Sequence, residues 1–124
     1  MTRHGLLMVV FSALCTVVAN LMIRAGILSA GGFNLSLNTL KSQTSVLVRQ
    51  PLFLGGFIIY AVAAIIWFRV LSTENLSTSY PLLISLTFLL VTVGASFFFH
   101  EQISLQKVLG LTIILAGIVV VASA

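Results

Sequence analysis

Four apolar stretches, at roughly residues 5–23, 52–71, 80–99 and 105–122, divide this sequence, and each comes close to the ~20 residues that cross a hydrocarbon core as a helix. Within lipid a chain must satisfy its backbone N–H and C=O groups internally, which leaves the α-helix as the way for such segments to cross. The rest of the chain agrees. Only 6% of its residues are charged and 60% are hydrophobic, against about 25% charged in soluble domains. The mean hydropathy is +1.22. These features predict an all-α membrane protein: one domain of four transmembrane helices over residues 1–124, with both termini on the same side.

The six cationic residues, Arg3, Arg24, Lys41, Arg49, Arg69 and Lys107, are spread along the chain. A nucleic-acid interface would gather them on one face, so no nucleic-acid partner is expected. Their scatter fits anchoring at the membrane border and contact with anionic membrane lipids. The first and third connections hold Arg24, Lys41, Arg49 and Lys107, against Arg3 and Arg69 on the other side. That bias leans toward cytoplasmic first and third connections, with inverted or dual insertion still open. The single cysteine, Cys15, lies within the first apolar run, so no disulfide framework exists. Arg3 and His4 ahead of an apolar run imitate a signal peptide. Leu14 stands where a lipoprotein cleavage box wants a small residue, and the segment is expected to be retained as the first helix.

The first helix is expected to end near Arg24, broken by Gly26 and the Gly31-Gly32 pair. In the segment that follows, Phe33, Leu37, Leu40, Thr44 and Leu47 fall at helical spacing, with Asn34, Asn38, Lys41 and Ser45 largely opposite. This reads as a short amphipathic helix lying in the membrane interface, the alternative being an irregular polar loop. Pro51 suits the first turn of the second span. Near that span's far end Trp67 sits where indoles favour the headgroup boundary, and Arg69 can extend outward beside it. Glu74 falls in the polar link STENLSTS and is expected to be solvated. Ser77, Thr78 or Ser79 can cap the third span, placing Pro81 in its first turn. On the fourth, Gly110 and Gly117 are nearly superposed, which marks a helix-packing seam between helices or between protomers.

No Gly-rich phosphate loop, no His/Cys cluster of metal-ligand spacing and no carboxylate pair occurs. The expectation is therefore no catalytic residue, no metal site and no cofactor, hence a transporter or an assembly subunit rather than an enzyme. Cation/proton antiport needs a titratable group inside the membrane. The first span has no acid. Its polar residues, Ser12, Thr16 and Asn20, recur every fourth position and form one stripe, which either packs helices or offers a neutral lining to a polar headgroup. Arg24 ends the stripe one turn beyond Asn20. Its guanidinium fork matches phosphate oxygens, the plainer reading being an arginine reaching for the interface. Glu101 belongs to the turn HEQIS, in which Ser104 can cap the fourth helix. Alternatively, it pairs with Arg24, Arg69 or a substrate amine at the membrane border.

The second half, SYPLLISLTFLLVTVGASFFFHEQISLQKVLGLTIILAGIVVVAS, resembles the drug/metabolite transporter superfamily. It has a third helix opening on Tyr80-Pro81 and closing in an aromatic run, then an acid, then a helix reading Gly, apolar, Gly. Among four-helix members it is similar to the paired subunits that flip undecaprenyl-phosphate-aminoarabinose, and more distantly to the small multidrug resistance transporters. The latter depend on a glutamate in the first helix, where this chain has Cys15 or Thr16. The resemblance implies an inner-membrane flippase subunit for a polyprenyl-phosphate-linked sugar, working as a homo- or heterodimer with another four-helix subunit. Tyr80 and Glu101 match the family pattern, and Arg24 stands where it has a basic residue. Asn20, Trp67 and Arg69 are added as substrate-binding candidates on local chemistry, with Ser12 and Thr16 from the stripe. A multidrug-type cation/proton antiporter and a non-transporting membrane scaffold remain the alternatives.

Overall fold

The computed structural model describes residues 3–32 and 36–123. Five helices follow one another: α1 (Arg3–Ser29), α2 (Leu40–Val48), α3 (Pro51–Thr73), α4 (Leu76–Phe99) and α5 (Leu105–Ser123). All but α2 are long and apolar enough to span a membrane, which agrees with the four predicted crossings. The short α2 occupies part of the expected interfacial helix. Its predicted beginning, with Phe33 and Asn34, lies outside the described residues.

The first helix does not stop near Arg24. It continues through Gly26 to Ser29 and turns only at Gly31 and Gly32, whose φ values of 92° and 95° belong to the left-handed region that glycine enters without steric cost. Gly32 closes the end by donating its N–H to the carbonyl of Ile27 at 2.8 Å. Gly26 serves packing instead. A Cβ there would lie 2.8 Å from the backbone nitrogen of Phe53, and one at Gly56 would lie 2.6 Å from Ile23 Cγ1 and 3.0 Å from the carbonyl oxygen of Ala19. These glycines let α1 and α3 approach backbone to backbone, the kind of contact that drives helix association in lipid.

The same contacts give the register. Gly26 meets Phe53, the hydroxyl of Ser12 donates to the Ala63 carbonyl at 3.0 Å, and Val9 packs with Val70, so α1 and α3 run antiparallel. Leu21 meets Gly94 and Val9 meets Leu82, so α1 and α4 run parallel. Helix α1 is the hub. It packs extensively on both α3 and α4, while those two touch little beyond the turn that joins them. Helix α5 rests chiefly on α4 and buries no residue. Large apolar side chains such as Phe57, Ile58, Ile65, Phe97 and Ile113 face outward, as a chain solvated by acyl tails requires.

Two local expectations are corrected. Helix α4 begins a turn early, with Asn75 at its N-cap, so Pro81 lies inside the helix and none of the three hydroxyl residues caps it. Ser79 instead bonds back to the Asn75 carbonyl. Glu74 is not free in solvent either. It is half-buried, its carboxylate lying against Gly5 where no Cβ would fit.

Candidate functional site

Arg24 on α1 and Glu101, just past the end of α4, meet as an ion pair. Among the three partners that the sequence allows for this carboxylate, the fold selects Arg24. Both side chains keep part of their surface accessible, 47% for Arg24 and 37% for Glu101. An ion pair so exposed contributes only about 0–1 kcal/mol, so it holds the ends together lightly. The guanidinium carbon also stands 4.6 Å from the ring centroid of Phe99, a cation–π contact that keeps the fork in place from a second side.

The turn carrying Glu101 has a defined construction. His100 caps α4 in the left-handed conformation, φ 54° and ψ 33°, and is the one non-glycine with positive φ among the described residues. Beyond it, Ser104 accepts a hydrogen bond from the Lys107 N–H at 3.2 Å, capping α5 as the sequence suggests. The carboxylate is thus aimed by a tight turn between two caps. His100→Gly should raise the unfolding midpoint in detergent slightly, since a non-glycine residue there costs about 1 kcal/mol, whereas His100→Val should lower it.

Beside the ion pair an apolar groove of about 440 Å³ opens over α1, between the start of α3 and the end of α4. Leu21, Met22 and Ala25 form its floor, and Leu52, Phe98 and Phe99 its walls. Phe99 belongs both to this groove and to the seat of Arg24. The arrangement joins a cation and an anion at one end of the bundle to a trough with no polar side chain, which suits an amphiphile with a charged head and a hydrocarbon tail.

The other candidates are distributed differently. Asn20 is half-buried one turn before Arg24. Thr16 donates to the Ser12 carbonyl within its own helix at 2.8 Å. Ser12 is 1% exposed and joined to Ala63, so it fastens α1 to α3 rather than lining a surface that a headgroup can reach. Trp67, Arg69 and Tyr80 lie toward the opposite end of the bundle. Trp67 packs on the cluster of Val9, Val70 and Leu82, with its ring centroid 6.1 Å from that of Tyr80. From Val9 to Arg24 along α1 is roughly 22 Å, so these three cannot grip the same headgroup as Arg24 at one time. Arg69 edges a second apolar groove with Leu7, Met8, Phe11, Ile65 and Ile66. Among the described residues a Cβ on Gly110 or Gly117 would meet nothing within 4 Å, Gly110 edging an open groove beside Phe88 and Thr92 of α4, so neither glycine forms a close seam there.

Sequence reasoning missed the role of Phe99 and the groove floor. The aromatic run was visible, but nothing local says which helix it faces.

Comparison with known proteins gives several relatives. The chain is 37% identical over 78 residues to the probable 4-amino-4-deoxy-L-arabinose-phosphoundecaprenol flippase subunit ArnE of Erwinia tasmaniensis, covering 60% of this chain and 71% of that one. It is 32% identical over 104 residues to the like-named protein of Enterobacter sp. (strain 638), covering 84% and 95%. With that of Salmonella paratyphi C it shares 32% over 106 residues, covering 83% and 95%. No protein-family model matches the chain. No solved structure matches it significantly.

Proposed function

Because the chain belongs to the ArnE family of 4-amino-4-deoxy-L-arabinose-phosphoundecaprenol flippase subunits, we propose that it carries a polyprenyl-phosphate-linked aminosugar between the leaflets of the bacterial inner membrane. It is a multi-pass membrane protein and a flippase subunit. In this reading Arg24 takes the phosphate in a bidentate contact and the neighbouring groove takes the first part of the prenyl chain. The observation that carries it is this pairing of a guanidinium with an apolar trough at one membrane border.

The work is translocation, in which no covalent bond is made or broken. Arg69, with Trp67 and Tyr80, stands at the opposite border, where a headgroup arriving from Arg24 would be received. Four spans enclose little volume, and α5 buries no residue and leaves Gly117 exposed, so a second four-helix subunit, identical or different, completes the path. Cation/proton exchange is disfavoured because the hub helix α1 carries no acid along its length.

The test uses the primary amine of the sugar as its own reporter. Purified full chain, alone and with a second four-helix subunit of the family, is reconstituted in vesicles containing a polyprenyl phosphate aminosugar. A membrane-impermeant amine reagent then reads how much of the lipid reaches the outer leaflet. Labelling should rise from the outer-leaflet share toward completion. Labelling that stays at the protein-free level in both preparations overturns the reading, and protection of cells against quaternary ammonium dyes would favour the antiporter instead.

A further inference from the structure

We propose that the Arg24–Glu101 pair is the internal counterpart of a zwitterionic headgroup, so that substrate binding is an exchange of partners: the lipid phosphate displaces Glu101 from Arg24, and the released carboxylate takes the sugar ammonium. The inference rests on the flippase reading and adds to it a residue that reads the amine.

The first support is charge conservation. A polyprenyl phosphodiester carries one negative charge and an aminosugar one positive charge, matching Glu101 and Arg24 in reverse. When the partners exchange, every charge at the membrane border has an opposite one before and after, and none is left unpaired near the acyl phase. A lipid bearing the phosphate alone would satisfy Arg24 but leave Glu101 beside a second anion, which is repulsive. A carboxylate next to a phosphate site is otherwise a poor choice. It becomes a sensible one if the ligand brings its own cation.

The second support is the unequal footing of the two partners. Arg24 projects from a continuous helix and is braced by the Phe99 ring. Glu101 stands on the non-helical turn between α4 and α5 and follows the left-handed His100. Both remain partly accessible, so a headgroup can reach the pair without prior opening of the bundle. When the pair opens the guanidinium keeps its contact with Phe99, so the Glu101 side chain, held only by Arg24 among the described residues, is the one that swings away about its own bonds.

The third is that nothing else on this border can do it. The chain has two acidic residues, and Glu74 lies against Gly5 at the other end of α1. Gly5 to Arg24 spans roughly 28 Å of helix, about the thickness of the hydrocarbon core. An amine presented beside Arg24 meets Glu101 or no carboxylate of this chain.

Two synthetic short-chain polyprenyl phosphate sugars, identical except that one has a free amine and the other an N-acetyl group, are titrated against the full chain in detergent. Wild type should bind the amine form roughly ten-fold or more tightly than the acetylated form, because only the former compensates Glu101. Glu101→Gln should bind the two within about two-fold of each other, and should bind the acetylated form more tightly than wild type does, since the competing carboxylate is gone. Glu101→Asp should keep the preference. Equal affinities in wild type, or a preference that survives Glu101→Gln, overturn the exchange while leaving the flippase reading in place. Binding of neither lipid by wild type, alone or together with a second four-helix subunit of the family, overturns both. If Glu101→Gln cannot be recovered folded, the wild-type comparison decides alone.

Discussion

Arg24→Gln should abolish transfer of the lipid-linked aminosugar while leaving the amount of membrane-inserted protein unchanged. The two halves of this expectation have different physical origins. On the substrate side, a guanidinium and a phosphate share two charge-assisted hydrogen bonds, each contributing about 1.5–3 kcal/mol, and glutamine replaces neither the charge nor the fork. At 1.4 kcal/mol per decade the loss amounts to roughly a hundred-fold or more in affinity. On the folding side, the same substitution removes one exposed ion pair and a contact with Phe99, together worth about 1–2 kcal/mol at most. Arg24→Lys should fall between, retaining charge without bidentate geometry. The vesicle labelling assay measures transfer, and quantitative blotting of membranes measures insertion. Transfer by Arg24→Gln at the wild-type rate would remove this residue from the substrate path.

The second large effect is expected at the seam between α1 and α3. In Gly26→Val the new Cβ falls 2.8 Å from the backbone nitrogen of Phe53 and 3.1 Å from its Cα. Backbone cannot swing aside as a side-chain tip can, so the helices must part at the end that seats Arg24. Overpacking of this kind costs about 1–3 kcal/mol in a well-packed interior, and Gly56→Val repeats it against Ile23 and the Ala19 carbonyl. The double variant should therefore lose monodispersity in detergent and melt well below wild type. Gly110→Val and Gly117→Val are the controls, because a Cβ at either meets nothing within the chain. A melting point unchanged in the Gly26→Val, Gly56→Val double variant would mean that α1 and α3 do not meet backbone to backbone along this seam.

Much of this fold can be read along the chain because lipid imposes a simple rule on length and polarity. The four spans end within a few residues of where apolarity ends, with two instructive exceptions. Gly26 looks like a helix breaker in sequence, yet it sits inside α1 because its value lies in closeness to Phe53 rather than in backbone freedom. Pro81 looks like a first-turn residue, yet α4 starts at Leu76, since a proline within a membrane helix is tolerated where other groups take up the freed carbonyls. The candidate site was legible only in part. Arg24 and Glu101 stand out as charges at the edges of apolar runs, but they are 77 residues apart. Which cation meets the carboxylate depends on α1 running parallel to α4, and no local pattern encodes that. The polar stripe allowed two readings for a related reason: its spacing does not say which way it faces, and the fold turns Ser12 inward onto the Ala63 carbonyl and Thr16 onto its own backbone.

The loose seating of α5 sets an order in which the molecule comes apart. Its side chains gain little from neighbours, whereas α1 is gripped along both flanks, so rising denaturant or a pulling force peels the last span away before the seam yields. Glu101 hangs on the strand of chain leading into that span. As disassembly proceeds, the anion loses its footing while the cation still stands on the surviving three spans.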